Sequence, residues 1–515
     1  MEIEPLLRKM FDEAYEKIDN NDLEGAMQIT EEIKNLNSEY GTKNAISGLL
    51  IDIGQLKKDE DKIIEGISII QDLIKNYLKR LSNGEIENLY YNLANGYSAL
   101  FKIKALKNRY YSYYKKDTEL NQAIKYYKKA LSFNSPHNPN EYINLGNSLD
   151  YEGRKIEALD YYEEALKFNL NYGLALINKG IALFFYYRFS EKSSYLKESY
   201  DCFNKALEDK LSINNIQLTQ EYINHINNMT SDKDLLKKPF NPKKIEIKTN
   251  NSFEKFLINF CLENKLYLNT CNFCQKCENA IGDPIFINKM IISADNEFIK
   301  LDSKNNSFLR LSSYLNQIKE DYITARYLLI LSRYKKLDLS FINKNVILIE
   351  TLEYKPYNIK LQLLMFSLKS MYDILDKIAF FLNDYLNLGF KEYEVNFKKI
   401  WYKNGDFRKG NVNENIEKIK DSSLNALFKL SVELNSSEPR NIFNQLRNKI
   451  THRFLDISLM NTENEIMTEK KLEEYTISLS KIVRSAIIYL ITFVNEKEKK
   501  NEIKDKIPTF ELKTP

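Results

Sequence analysis

The sequence predicts a mainly α-helical protein: an N-terminal solenoid of helical repeats, a small α+β linker region and a C-terminal helical bundle. The chain of 515 residues has only 15 glycines and 10 prolines, too few for a sheet-rich or disordered protein. Apolar residues recur at helical spacing through most of its length. We predict helical repeats over 1–230, a linker or insert with a cysteine cluster over 231–335, a helical bundle over 336–498 and a charged tail over 499–515.

Charge and hydropathy predict the compartment of the protein and its contacts with nucleic acids and membranes. The net charge is +4, from 75 basic and 71 acidic side chains, so no strong overall field attracts nucleic acid or membrane and any RNA contact has to be local. Residues 1–17 lack the apolar region of a signal peptide, and the apolar run 486–494 is shorter than the ~20 residues that span a bilayer. We expect a cytoplasmic protein with no membrane contact.

The N-terminal part contains a repeated helix pair. Between residues 142 and 170 the sequence predicts two antiparallel helices with small residues where they cross closely. The positions that define the pattern are Leu145, Gly146, Leu149, Gly153, Ala158, Tyr162 and Ala165. Ala123 begins a copy of the second helix, and Gly180 and Phe203 continue the pattern downstream. With weaker copies nearer the N terminus, four to five repeats are predicted.

These repeats resemble tetratricopeptide (TPR) repeats. The resemblance implies a solenoid that binds an extended peptide or a protein surface, which we expect to be a regulatory trigger.

Four cysteines lie in the linker region: Cys261, Cys271, Cys274 and Cys277. Zinc sites usually use two separated Cys-x2-Cys pairs, whereas three of these thiols share one short segment and only Cys261 could supply a fourth ligand. We expect reduced thiols and no cofactor, with structural zinc at these four cysteines as the alternative.

The segment 440–455, RNIFNQLRNKITHRFL, predicts a helix with two faces. Its apolar stripe is formed by Ile442, Leu446, Ile450 and Phe454. Asn448 and His452 lie on the opposite face, one turn apart. Arg447 lies about 140° from His452, and its long side chain can still reach a phosphate shared with that histidine. A solvated helix face is the alternative.

Three further helices are predicted over 361–386, 416–434 and 468–494, which together with 440–455 indicate a bundle. The bundle and the spacing of Arg447, Asn448 and His452 resemble the HEPN superfamily, whose helical bundles carry an R-x4-6-H motif, often with a polar residue after the arginine. The stretch SMYDILDKIAFFLNDY is also similar to the first helix of a HEPN subfamily attached to TPR repeats. The resemblance covers roughly residues 336–497.

The resemblance implies a metal-independent endoribonuclease in which two bundles pair as a homodimer. His452 would act as general base or acid at the ribose 2′-OH, Arg447 would hold the scissile phosphate, and Asn448 would orient the imidazole or bind the phosphate. Products would carry a 2′,3′-cyclic phosphate and a 5′-OH. Lys449 and Arg453 flank the motif and would contact the backbone of the RNA, with transfer RNA a candidate substrate.

Two questions stay open from sequence. Asp373 and Lys377 could extend the site, or they could form an ordinary i,i+4 ion pair. The whole protein could be a nuclease regulated by its TPR sensor, with bacterial antiphage defence or a toxin-like stress response as the setting by analogy. The alternative is a non-catalytic TPR scaffold whose HEPN bundle dimerises or binds a nucleotide.

Overall fold

The computed structural model describes residues 5–36, 39–133, 137–190, 193–209, 215–230, 233–237, 247–270, 280–287, 307–347, 357–435, 441–458 and 467–500. The chain forms two compact units. One consists of Met1–Phe185 and Ser193–Lys238, and the other of Tyr186–Lys192 and Pro239–Pro515.

The first unit is helical throughout its described residues. Its helices are α1 (Pro5–Asp19), α2 (Leu23–Leu36), α3 (Tyr40–Lys57), α4 (Glu60–Tyr77), α5 (Asn83–Lys107), α6 (Glu119–Ala130), α7 (Pro139–Tyr151), α8 (Lys155–Phe168), α9 (Gly173–Ser190, whose last turns belong to the second unit), α10 (Ser193–Ala206), α11 (Ile216–Met229) and α12 (Lys233–Lys237). Local signals set several boundaries. At the start of α5, the Ser82 hydroxyl accepts from the Glu85 backbone N–H, while the Glu85 carboxylate accepts from the Ser82 backbone N–H at 2.9 Å.

Consecutive helices of this unit pack in pairs: α1 with α2, α3 with α4, α5 with α6, and α7 with α8. Helices α9 and α10 are joined by a hydrogen bond of 2.7 Å from Ser199 Oγ to the Gly180 carbonyl. The helical-repeat prediction is therefore confirmed.

Glycines allow the two helices of a pair to approach closely. A Cβ at Gly146 on α7 would lie 2.5 Å from Cε1 of Tyr162 on α8, and a Cβ at Gly180 on α9 would lie 2.8 Å from Cε1 of Phe203 on α10. Tyr162 and Phe203 are both buried. The same glycine–aromatic contact thus recurs in successive pairs, as the sequence pattern indicated.

The second unit is a helical bundle with a minimal sheet. Its elements are α13 (Ser252–Glu263), α14 (Ser307–Arg333), α15 (Ile359–Tyr385), α16 (Glu414–Glu417), α17 (Ser422–Asn435), α18 (Asn441–His452), β1 (Ile457–Ser458), β2 (Met467–Thr468) and α19 (Glu469–Lys500). Strands β1 and β2 are parallel, with Ile457 opposite Met467.

Helix α19 is the core of this bundle and packs against α14, α15 and α17. By length and composition alone it could cross a membrane, since an 18-residue window has a mean hydropathy of 1.7. However, 83% of that window is buried inside the protein, which is typical of the core helix of a bundle.

Two sequence expectations about this unit were wrong in detail, and a third falls largely outside the described residues. The helix predicted over 416–434 is broken, because the Asp421 carboxylate accepts from the N–H groups of Ser423 and Leu424 and starts a new helix. Phe454 is 93% exposed instead of completing the apolar stripe, since α18 ends at His452. The partly alternating stretches IGDPIFINKMIIS (281–293) and NVILIETLEY (345–354) predict a few short strands. The described residues 281–287 and 345–347 contain none, and the rest of both segments lies outside the described residues.

Residues 247–270 and 280–287 of the predicted linker pack on the bundle. Arg326 on α14 is buried and holds Asp283 through two hydrogen bonds of 2.7 Å. Arg484 on α19 is also buried and donates to the carbonyls of Tyr267 and Asn269, each at 2.7 Å. Helix α14 itself precedes the predicted bundle boundary at 336 and packs along α15. The division at 231, 336 and 499 stays a prediction.

Candidate functional site

Helix α18 carries the residues that the sequence singled out. It begins at Asn441 and ends at His452, and it packs against α15 and α17. Phe443 and Leu446 are its buried residues, and the Phe443 ring meets Tyr475 of α19 edge-on at 6.0 Å. These anchors fix which side of α18 faces the bundle, and hence the direction of every polar side chain on it.

Arg447 points towards α15 and forms an ion pair there. Its Nε lies 3.1 Å from Oδ1 of Asp373, with the two side chains 26% and 36% exposed. The pairing of Asp373 with Lys377 that the sequence left open is not the one observed. Lys377 instead pairs with Asp321 of α14. Asp373 therefore belongs to the immediate surroundings of the candidate site.

A short chain of polar contacts continues from this arginine along α18. Nη1 of Arg447 donates to Oδ1 of Asn448 at 3.4 Å, and Nδ2 of Asn448 donates to Oδ1 of Asn444 at 3.3 Å. Asn448 thus contacts Arg447. No hydrogen bond from Asn448 to His452 is formed among the described residues.

Acidic and phenolic groups lie on the α15 side of Arg447. Burial raises the pKa of Asp376, although the backbone N–H of Phe397 at 2.9 Å and the charge of Arg447 oppose this rise. Burial also raises the pKa of Tyr372, again against the effect of Arg447. The guanidinium therefore lies near two partly dehydrated groups, the carboxyl of Asp376 and the phenol of Tyr372.

The other predicted residues face solvent at the end of the helix. Lys449, His452 and Arg453 are exposed, and α18 itself contains no acidic residue. Cations are favoured at a helix C terminus because the last carbonyl groups carry partial negative charge. In the part of the chain that the structure describes, His452 has no hydrogen-bond or ion-pair partner. The structure thus brings together Arg447, Asn448 and Asp373, but not His452.

Sequence reasoning considered Asp373 but did not foresee its contact with Arg447. The two residues are 74 positions apart, and no local periodicity connects them. The only available signal was the repeated placement of acidic residues, Asp373 and Asp376, on one helix of the same domain.

Of the four cysteines considered for zinc, the structure describes Cys261 alone. Its thiol is buried, and burial raises its pKa to about 12. Cys271, Cys274 and Cys277 lie outside the described residues, so the choice between reduced thiols and a zinc site remains a prediction.

Paired helices are followed along the chain by a bundle whose helix α18 carries Arg447, Asn448 and His452. Residues 303–497 match the family model described as LA2681-like HEPN. This match confirms the resemblance for the C-terminal region and supports a nuclease or nucleotide-related role for it.

Solved structures are similar to the chain over shorter stretches. "Crystal structure of MamA" aligns with 38% of this chain and 92% of its own at 21% identity and a TM-score of 0.25. The structure titled "TPR2AB-domain:pHSP90-complex of yeast Sti1" aligns with 43% of this chain and 98% of its own at 13% identity and a TM-score of 0.18. No curated protein matches the sequence significantly.

Proposed function

We propose that the C-terminal bundle is a metal-independent endoribonuclease, active as a homodimer, and that the helical repeats regulate it by binding a protein or peptide. The observation that supports this most is the held guanidinium of Arg447 on the same helix as an exposed histidine, within a region that matches a HEPN family. Antiphage defence or a toxin-like stress response is the setting we propose.

Arg447 is suited to bind the scissile phosphate. Asp373 accepts a hydrogen bond from Nε of Arg447, and Asn448 accepts one from Nη1. In the described part of the chain Nη2 makes no hydrogen bond. The outward edge of the guanidinium is thus left for a phosphate, which arginine binds with two parallel N–H donors. A guanidinium held by the protein stabilises developing charge without having to reorganise during the reaction.

His452 is suited to transfer protons. In the proposed reaction it takes the proton from the ribose 2′-OH, the 2′-oxygen forms a bond to phosphorus, and the bond from phosphorus to the 5′-oxygen breaks. The leaving 5′-oxygen receives a proton, which the second His452 of a homodimer can supply. The products are a 2′,3′-cyclic phosphate and a 5′-OH. Because Arg447 and His452 point in different directions on one helix, a composite site made from two copies explains how both could act on one phosphate.

Lys449 and Arg453 extend the basic surface of α18. The two side chains are exposed one turn apart, and the backbone N–H of Arg453 donates to the Lys449 carbonyl at 3.0 Å. We propose that they contact phosphates on either side of the cleaved bond. Such contacts are weakened by salt and do not depend strongly on the sequence of the RNA.

Cleavage of total RNA and transfer RNA in EDTA, with the product ends mapped, tests the proposal. We expect the wild type to cut and to leave cyclic phosphates, and Arg447→Ala and His452→Ala to lose at least about 100-fold in rate. Arg310→Ala and His225→Ala are matched controls, since Arg310 pairs with Asp384 elsewhere in the bundle and His225 is exposed on α11.

Equal activity in all five proteins would exclude this site. Inactivity of the wild type, with and without candidate protein partners, would instead favour the non-catalytic scaffold. Analytical sedimentation of the wild type measures its oligomeric state, so an inactive dimer can be distinguished from a protein that does not dimerise.

A further inference from the structure

A second cluster of chemically active side chains lies in the N-terminal unit, away from every residue used above. Glu87 on α5, His137 just before α7 and Glu141 on α7 place one ligand atom each within 4.8 Å of one another. Glu87 and Glu141 are 4% and 7% exposed, so two carboxylates are buried side by side. Burying two like charges is costly unless a cation or a proton compensates them.

The histidine lies between the two carboxylates. Its Nδ1 is 2.7 Å from Oε1 of Glu87 and 3.3 Å from Oε2 of Glu141. In a tetrahedral zinc site with metal–ligand bonds of about 2.0–2.1 Å, neighbouring ligand atoms are about 3.3 Å apart. The separation of 3.3 Å between Nδ1 and Oε2 of Glu141 matches that spacing, whereas the 2.7 Å between Nδ1 and Oε1 of Glu87 is a hydrogen-bond distance that has to lengthen when an ion binds.

In the described part of the chain two of the carboxylate oxygens are buried without a hydrogen bond, although Nδ1 of His137 lies 3.3 Å from that of Glu141. Oε2 of Glu87 and Oε2 of Glu141 are buried, and within the described residues neither accepts a hydrogen bond. Buried acceptors are nearly always satisfied, so both oxygens point to a bound species that would face them.

The surroundings hold these side chains in place. The backbone N–H of Asn138 donates to Oε1 of Glu141 at 3.3 Å, so one oxygen of this glutamate is fixed by the start of α7 and the other is left for a ligand. The His137 ring meets the Tyr142 ring edge-on at 5.9 Å. The His137 side chain is 18% exposed, which gives an entry path from solvent.

We propose that Glu87, His137 and Glu141 form a binding site for a divalent transition-metal cation, with zinc the best fit. One imidazole and two carboxylates are a ligand set that suits zinc, and the two negative charges neutralise the ion. A cation here links α5 to α7, the first helices of two successive pairs. It would stabilise the repeat unit and would have no part in RNA cleavage.

Titration of the full-length, metal-stripped protein with Co²⁺ tests the proposal. Cobalt distinguishes this site from the cysteine cluster, because thiolate ligands give strong charge-transfer absorption and imidazole or carboxylate ligands do not. We expect one equivalent bound without thiolate absorption, displaced by Zn²⁺ and not by Mg²⁺. His137→Gln and Glu87→Gln should each weaken this binding at least 100-fold, whereas His225→Gln, the matched control, should leave it unchanged.

Thermal unfolding supplies the second measurement. Added Zn²⁺ should raise the Tm of the wild type and of His225→Gln, because a ligand that binds only the folded state stabilises it, and should leave the Tm of His137→Gln unchanged. Far-UV circular dichroism establishes that the variants are folded. The proposal would be overturned if all variants bound the metal equally, if binding showed thiolate absorption only, or if the wild type bound none. The two buried carboxylates of Glu87 and Glu141 would then be compensated by a shared proton instead of a cation.

Discussion

Oδ1 of Asp373 accepts a hydrogen bond of 3.1 Å from Nε of Arg447, and this contact joins α15 to α18 at the candidate site. An aspartate at Nε orients the plane of the guanidinium, while among the described residues Nη2 makes no hydrogen bond. Asp373 is thus a positioning residue: it would affect RNA cleavage only through the guanidinium of Arg447.

Asp373→Asn should therefore affect activity more than stability. A half-exposed ion pair contributes about 0–1 kcal/mol, so the free energy of unfolding should change by no more than about 1 kcal/mol. A misplaced guanidinium should lower the rate of RNA cleavage by roughly 10- to 100-fold. Single-turnover cleavage and urea unfolding of the same preparations measure the two effects. Asp373→Glu should recover part of the rate, and a variant as active as wild type would refute the positioning role.

Gly146→Ala should destabilise the repeat unit. The added Cβ would lie 2.5 Å from the buried Tyr162 ring, and forcing a methyl group into a packed interface costs about 1–3 kcal/mol. Gly84→Ala is the control, because nothing lies within 4 Å of a Cβ at that position on α5. That substitution should stabilise the unit by up to about 1 kcal/mol through its helix propensity. Equal effects of the two variants in thermal unfolding would contradict the close crossing of α7 and α8.

Asp283→Asn should strongly destabilise the bundle. It leaves the buried guanidinium of Arg326 without its two charged hydrogen bonds, and breaking a buried ion pair from one side costs about 3–5 kcal/mol. Glu414→Gln is the comparison, because its pair with Lys403 is more than half exposed and should contribute less than about 1 kcal/mol. Denaturant unfolding measures the free energy of unfolding of both variants. Equal small losses would mean that the segment around Asp283 is a loosely attached linker and not a structural part of the bundle.

Cys202 should make the first unit less stable in alkali. Burial raises the pKa of this thiol to about 12, against about 9 for an exposed one. Below pH 9 both folded and unfolded chains keep the proton, so the contribution is fully present; between pH 9 and 12 the unfolded chain loses it first, and stability falls. The slope should be steeper than that of Cys202→Ala by up to about 1.4 kcal/mol per pH unit. Parallel pH curves for the two proteins would exclude a buried thiol.

Local patterns carried most of what the sequence predicted correctly. The glycine–aromatic pairs, Gly146 with Tyr162 and Gly180 with Phe203, are 16 and 23 positions apart and follow from the packing of adjacent helices. The helix that carries Arg447 and His452 follows from apolar periodicity and runs from Asn441 to His452.

Contacts between distant segments were not predictable in the same way. Helical spacing favours a pair between Asp373 and Lys377 on the same helix. The packing of α15 on α18 instead brings Asp373 to Arg447, and Lys377 pairs with Asp321. Likewise Asp421 interrupts an apolar pattern that predicted a continuous helix, because its carboxylate competes for backbone N–H groups.

The buried arginines of α14 and α19 also determine which fragments of this protein can be expected to fold by themselves. A fragment cut at residue 303, where the family match begins, would remove the carbonyls of Tyr267 and Asn269 that satisfy Arg484, together with the Asp283 carboxylate that neutralises Arg326. The guanidiniums of Arg484 and Arg326 would lose these hydrogen bonds and the segment that covers them. A truncation meant to isolate the bundle should therefore begin before α13, at about residue 247.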